Sequence, residues 1–379
     1  MNSFSIKTKV HFGQGALNAL NTIKDKKVFI VTDPFMVKSG MIDKIIKPLD
    51  SNKVEYSVFS EIVPDPPIEI VVKGIKEMSK INPDILIAIG GGSAIDAAKA
   101  IKDFSLKIVN SKEVEFIAIP TTSGTGSELT AFSVITDREK GAKYPLVSDE
   151  LVPEVAILDP ELVKSVPDFI TADTGMDVLT HALEAYVSTK SSDFTDALAE
   201  KAISLVFENL VEAYKNGGNL KAREKMHNAS CMAGMAFSIA SLGLNHGIAH
   251  AIGGKLHIPH GRINSILLPH IIEYNADIKG YVDVKYTQAA NKYAKIAKLL
   301  NLPGGNVRSA VKNLIAAIEK LQKDMKMPRT LIECKVTDED FNKFKDDISE
   351  MALKDACTAT NPKKPTKEDV LHILGKIRK

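Results

Sequence analysis

Two stretches hold most of the residues that could do chemistry. In Gly175–Tyr186, Asp177 and His181 stand four positions apart. On a helix that spacing puts both side chains on one face, a turn apart. A carboxylate and an imidazole so placed can share one divalent cation from a single rigid element. Two ligands do not close a site. The second stretch, Asn245–Gly261, carries four of the nine histidines: His246, His250, His257 and His260. His246 and His250 are again four apart, and His260 follows Pro259 where a new helix would begin. A lone helical histidine is more often packed or at the surface. Four within fifteen residues, matched to an Asp/His pair, point to a metal centre. Spacing leaves open which two of the four are ligands. No cysteine takes part, which argues against structural zinc. The nitrogen and oxygen set suits Fe(II), Zn(II), Mn(II) or Co(II).

A second chemistry resides in two small-residue loops. The run Asp84–Gly90 reads as a buried strand; it enters Gly90-Gly-Gly-Ser93, and a helix follows at once. Gly91, Gly92 and Ser93 would sit at that helix's N-terminus, where unpaired N–H groups can receive a phosphate. Glu115–Pro120 reads as the next strand and feeds Thr121–Ser127, in which Thr121, Thr122 and Thr125 offer hydroxyls. Neither GxGxxG nor GxxxxGK[ST] is present, so on motif alone two tight turns are the commoner outcome. Asp33 ends the run Lys27–Asp33 and suits a ribose diol. Taken alone, such a residue is more often a helix cap.

The elements needed to place these residues can be read in outline. Strand-like and helical runs alternate to about residue 165, which predicts a parallel sheet covered by helices. Strand-like runs near 132–136, 143–147 and 155–158 belong to this part. After Pro167 the period is helical throughout, with runs near 168–188, 193–215, 220–241, 263–274, 281–300, 306–325 and 366–378. The expected domains are therefore 1–165, α/β, and 166–379, all-α. The 379 residues include 49 basic and 47 acidic side chains, a net charge of +2. That balance gives no long-range pull towards nucleic acid or an anionic membrane. No apolar run of about 18 residues marks a membrane span. The start, Met1–Lys9, lacks a signal-peptide core, and Cys231, Cys334 and Cys357 are scattered, so a reducing cytoplasm is expected.

The whole chain resembles the iron-containing (group III) alcohol dehydrogenases. The resemblance lies in Gly90-Gly-Gly-Ser-Ala-Ile-Asp96, Pro120-Thr-Thr-Ser-Gly-Thr-Gly-Ser-Glu128, Asp173-Thr-Gly-Met-Asp-Val-Leu-Thr-His181, and Gly243-Leu-Asn-His-Gly-Ile-Ala-His250 with Pro259-His-Gly261. Within the family, Asp193–Lys201 and Lys225–Ser230 most resemble the 1-propanol dehydrogenases of propanediol-utilisation microcompartments. The resemblance implies a Rossmann-like N-terminal domain with a helical C-terminal domain, the architecture shared with dehydroquinate synthase. It implies metal ligands at Asp177, His181, His246 and His260, with His250 nearby but not a ligand. The cofactor phosphates fall on residues 90–93 and 121–127, Lys143 near the ribose, and Asp33 at the acid that favours NAD over NADP. Asp65 departs from the Asn that many relatives carry in a Pro-Asn-Pro turn, and an aspartate there cannot donate a hydrogen bond.

The expected reaction is reversible hydride transfer between NAD(H) and a short primary alcohol or aldehyde, with Fe(II) as the metal or Zn(II) as its alternative. His250 is the proton-relay candidate; packing against the cofactor is its rival role. A polyol such as glycerol or 1,3-propanediol is the alternative substrate. A same-fold enzyme of phosphorylated or acidic substrates needs a cationic cluster, and the ligand stretches offer little beyond Lys255. A metal hydrolase and a non-catalytic microcompartment component are the alternatives of other classes. A homodimer or higher homo-oligomer is expected, in the cytoplasm or inside a microcompartment.

Overall fold

Runs of β-branched and aromatic residues build the sheet, and their alternation gives each face its own core. Val28, Ile30, Ile85, Ile87, Ile89, Ile117, Ile119 and Ile157 pack on one face; Phe29, Val31, Leu86, Ala88, Phe116 and Ala118 pack on the other. The computed structural model describes residues 4–109, 112–137, 142–279 and 285–379, with backbone only at 109, 142 and 143. The chain divides into two compact units, Met1–Ser165 and Val166–Lys379.

The first unit holds strands β1 (Lys9–Phe12), β2 (Lys27–Val31), β3 (Glu55–Phe59), β4 (Ile85–Gly90), β5 (Glu115–Pro120), β6 (Phe132–Asp137), β7 (Ala142–Val147) and β8 (Val155–Leu158). Six of them form one sheet in the order β1-β8-β5-β4-β2-β3, every pair parallel. Helices α1 (Pro34–Lys38), α2 (Asp43–Ser51), α3 (Ile68–Ile81) and α4 (Gly92–Val109) complete the unit. The runs near 132–136 and 143–147 do form strands, but they pair with each other as an antiparallel hairpin outside the sheet.

The second unit is helical: α5 (Asp168–Val187), α6 (Asp193–Lys215), α7 (Leu220–Ala240), α8 (Leu244–Leu256), α9 (His260–Ala276), α10 (Gln288–Leu299), α11 (Val307–Asp324), α12 (Asp338–Lys354) and α13 (Lys367–Arg378). No strand occurs in it among the described residues. Helix α12 has no counterpart in the expected runs. Its sequence is dominated by charge, and only Phe341, Ile348, Ser349 and Ala352 are buried, so its apolar period is thin. The helix expected from 281 is described from Gln288; residues 281–284 lie outside the described residues. Helix α5 is buried along most of its length. It nevertheless carries Asp173, Asp177, His181 and Glu184, spaced four, four and three, on one face. Buried polar groups need partners, so a stripe of this kind must face other polar groups. Among the described residues no single helix is long and apolar enough to cross a membrane.

Candidate metal centre and cofactor loops

Three helices meet at the polar stripe of α5. Helix α8 brings His246, and α9 begins with His260 directly after Pro259, whose fixed φ suits a helix start. Asp177 Oδ1 lies 3.7 Å from His246 Nε2 and 3.6 Å from His260 Nε2. Ligand atoms of Asp177, His181 and His246 all lie within 4.8 Å of one another. The His181 and His246 rings stack with centroids 4.6 Å apart. Of the four histidines that spacing left open, His246 and His260 are the two brought to Asp177. His257 is instead the exposed, left-handed C-cap of α8, with φ 53°. His250 stands beside the group: its ring stacks on His260 at 5.2 Å, and it is 45 % exposed where His246 is 1 %.

Residues with no role in the sequence reading set this geometry. Glu184 is buried behind His246, with Oε2 2.5 Å from Nδ1, while its Oε1 accepts the backbone N–H of Asn245 at 2.7 Å. The second bond satisfies an orphan donor at the start of α8, and Asn361 Oδ1 satisfies another by accepting from Leu244 N at 3.1 Å. Both acceptors crowd Gly243, where a Cβ would lie 2.8 Å from each. Arg262 clamps the start of α9 to α5 through two bonds to Asp173, at 3.2 and 2.9 Å. Gly261 permits that approach, since a Cβ there would stand 2.1 Å from the Asp173 carbonyl oxygen. The α5 stripe and the four-residue step from His260 to Asn264 are local signals that could have found Glu184 and Asn264. Nothing local pointed to Asn361.

The donor set fits a divalent cation. Asn264 Nδ2 stands 2.7 Å from Asp177 Oδ1, 3.0 Å from His260 Nε2 and 3.1 Å from His246 Nε2. Its amide orientation is set by Asn245 Nδ2, which donates to Asn264 Oδ1 at 2.8 Å. One amide nitrogen thus lies within 3.1 Å of three potential ligand atoms, so those atoms converge. With Glu184 accepting at Nδ1, Nε2 is the His246 nitrogen left to face a cation, which would displace its proton on binding. Burial works to raise the Asp177 carboxyl, but His181, His260 and His246 around it outweigh burial and hold it far below the usual range. Burial likewise works to lower His246, and the Glu184 charge leads the groups that push it up to about 9 in the metal-free protein.

In the first unit, the ends of β4 and β5 are neighbours, with Gly90 paired to Pro120. Gly90 leaves β4 with φ 151°, and Gly92 already opens the 18-residue helix α4. The two loops pack on each other: a Cβ on Gly92 would lie 2.8 Å from Thr125 Cγ2, and one on Gly91 would lie 3.6 Å from Thr122 Cγ2. Ser93 follows in the first turn of α4, and Thr121 is buried at the end of β5. Behind them, buried Lys99 donates to Thr130 O and Phe132 O, both at 2.7 Å, and Asp96 accepts from Ser127 Oγ at 2.6 Å. Burial lowers Lys99 to about 8, against the pull of Asp96 and Glu128. Asp33 caps α1, its Oδ1 accepting from Phe35 N and Met36 N at 2.8 and 3.1 Å. Its Oδ2 faces Gly90, 3.3 Å from where a Cβ would be. Asp65 takes φ 51°, a conformation in which Asp and Asn are tolerated alike. Lys143 lies in β7, and its side chain is outside the described residues.

Two family models cover almost the whole chain: "Iron-containing alcohol dehydrogenase" over residues 7–160 and "Fe-containing alcohol dehydrogenase family, C-terminal" over residues 171–377. The chain belongs to the iron-containing alcohol dehydrogenase family. Within it, the chain is 48 % identical to the 1-propanol dehydrogenase PduQ of Citrobacter freundii, over 96 % of each chain. It is 41 % identical to an NADPH-dependent butanol dehydrogenase of Clostridium saccharobutylicum, over 99 % of this chain and 97 % of that one. The crystal structure of a 1,3-propanediol oxidoreductase superposes with a TM-score of 0.88 at 34 % identity, over the full length of both chains. This alcohol dehydrogenase therefore has the family's Rossmann-like and helical halves.

Proposed function

We propose that this alcohol dehydrogenase uses NAD and a divalent metal on short unbranched primary alcohols: alcohol and NAD⁺ give aldehyde, NADH and a proton, reversibly. The convergence of Asp177, His181 and His246, with His260 Nε2 3.6 Å from Asp177 Oδ1, carries the reading. These four hold the cation, Fe(II) or alternatively Zn(II), between which a nitrogen and oxygen set does not choose. When bound, the cation supplies Lewis acidity to the substrate oxygen, and the nicotinamide takes or gives the hydride.

The chain does the rest. Gly91, Gly92 and Ser93 offer the start of α4 to the cofactor phosphates, with hydroxyls from Thr121, Thr122 and Thr125. Asp33 turns its second oxygen to the ribose diol, and Lys143 stands near the ribose by resemblance. His250 takes the proton as the alcohol is oxidised and returns it to the aldehyde. Two nearby cations are already engaged, Arg262 by Asp173 and Lys255 by Asp347 at 3.5 Å. A phosphorylated substrate would therefore bring negative charge without a partner. The resemblance to propanediol-utilisation enzymes adds a homo-oligomer, in the cytoplasm or encapsulated in a microcompartment.

The test is NAD reduction by ethanol, propanol, butanol, glycerol, 1,3-propanediol and propane-1,2-diol after reconstitution with Fe(II) or Zn(II). Propanol should give the highest kcat/KM. A polyol ahead of propanol would move the substrate to that class. No NADH from any alcohol, or a phosphopolyol turned over faster than propanol, would overturn the reading.

A further inference from the structure

His250 has a partner from far along the chain. Asp355 precedes a 3₁₀ turn, Ala356–Thr360, and its two oxygens have separate tasks. Oδ1 accepts the Cys357 N–H at 2.8 Å and caps the turn; Oδ2 lies 2.9 Å from His250 Nδ1. Burial works to raise the Asp355 carboxyl, but the hydrogen bonds it accepts from His250 and the Cys357 amide hold it at about 2. An ionised carboxylate can only accept. Nδ1 therefore carries the hydrogen, and in the neutral ring Nε2 keeps the lone pair.

The turn that bears Asp355 is fastened to the helix that bears His250. Thr358 Oγ1 donates to Ala352 O at 2.7 Å, and a Cβ on Gly247 of α8 would stand 2.1 Å from that hydroxyl oxygen. Thr360 Oγ1 donates to Leu242 O at 2.7 Å, just before α8. A carboxylate held this way has little freedom to leave the ring. We propose that Asp355 is the positioning residue of His250, fixing its ring in the Nδ1–H tautomer so that Nε2 is the nitrogen that takes the substrate proton. The inference rests on the role proposed above for His250. It adds a residue 105 positions away and assigns the proton to one nitrogen.

Asp355→Asn isolates this role. Asparagine caps as well as aspartate, and the Cys357 N–H obliges the amide oxygen to face the turn. The amide NH₂ is then left facing His250. It can only donate, so it demands a bare Nδ1 and moves the ring hydrogen to Nε2, the wrong tautomer for accepting a proton there. Nitrogen-15 spectra of histidine-labelled, Zn(II)-loaded enzyme read the tautomer, with His250→Gln assigning the resonance. The expected result is Nδ1–H in the parent and Nε2–H in the variant. In the variant kcat falls on the order of 10- to 100-fold, with metal per chain and KM for NAD unchanged. Added to His250→Gln, Asp355→Asn should cost nothing more, because its effect passes through the ring. Retention of the Nδ1–H tautomer in Asp355→Asn, or the same loss in both backgrounds, overturns the proposal. If the parent oxidises no alcohol, the function proposed above falls, and the tautomer comparison alone decides this inference.

Discussion

His246 and His250 are one turn apart on α8 and share an element, yet their partners give them different work. Glu184 and Asp177 enclose the first, whereas Asp355 holds the second at the exposed edge. His246→Ala or His260→Ala should therefore lower metal content and turnover together. His250→Ala should leave the metal in place and slow turnover on the order of 10²- to 10⁴-fold. Metal per chain after dialysis, measured beside kcat, separates the two, and metal loss in His250→Ala with retention in His246→Ala would require a new ligand set. Asp33 also has two tasks, since it caps α1 as well as facing Gly90. Removing it to glycine would mix both effects. Asp33→Ser keeps a capping oxygen and loses the charge that repels a 2′-phosphate. The parent should prefer NAD, and Asp33→Ser should raise kcat/KM for NADP relative to NAD. Equal kcat/KM for both cofactors in the parent would withdraw the assignment.

The ligand helices are held at their ends, where backbone comes within contact of backbone or of side chains. Gly261 is the tightest such point between α9 and α5, its missing Cβ leaving room for the Asp173 carbonyl. A peptide oxygen cannot swing aside as a side chain can. Gly261→Ala must shift the start of α9, and with it His260, at a cost of about 1–3 kcal/mol. Its metal content should fall even where the protein remains folded at room temperature. Gly254, exposed in α8 with nothing within 4 Å of a Cβ, is the control. There alanine should be neutral or stabilise by about 0.5–1 kcal/mol through helix propensity. Urea midpoints and metal analysis of the pair check both, and a Gly261→Ala protein with parental metal content would show the clamp to be dispensable.

The two units differ in what holds them. The first has a parallel sheet with a separate apolar core on each face. The second has three helices that meet at the buried polar stripe of α5, where the proposed cation would bind. A cation that binds the folded state stabilises it by about 4 kcal/mol at a thousand times its Kd. Chelation should therefore lower the melting temperature and speed amide exchange in α5, α8 and α9, with little change in β2, β4 and β5. Hydrogen exchange with and without chelator measures this. Equal loosening of β4 and α5 would show that the effect is not local to the site.

Several features were legible in the chain as a string because they depend on neighbours a few residues apart. The Asp177/His181 pair follows from helical period, the buried strands from unbroken β-branched runs, and the first small-residue loop from glycines between a strand and a helix. Helix α12 was not legible, because its charged sequence buries too few apolar side chains to show a period. Folding alone brought His246 and His260 to Asp177 and left His257 at a helix end. It also set Glu184 behind His246 across 62 residues and Asp355 behind His250 across 105. A side chain's neighbours in sequence fix its face on an element. Which face meets which is decided by packing, and a hydrogen bond between distant segments leaves no periodic trace in either one.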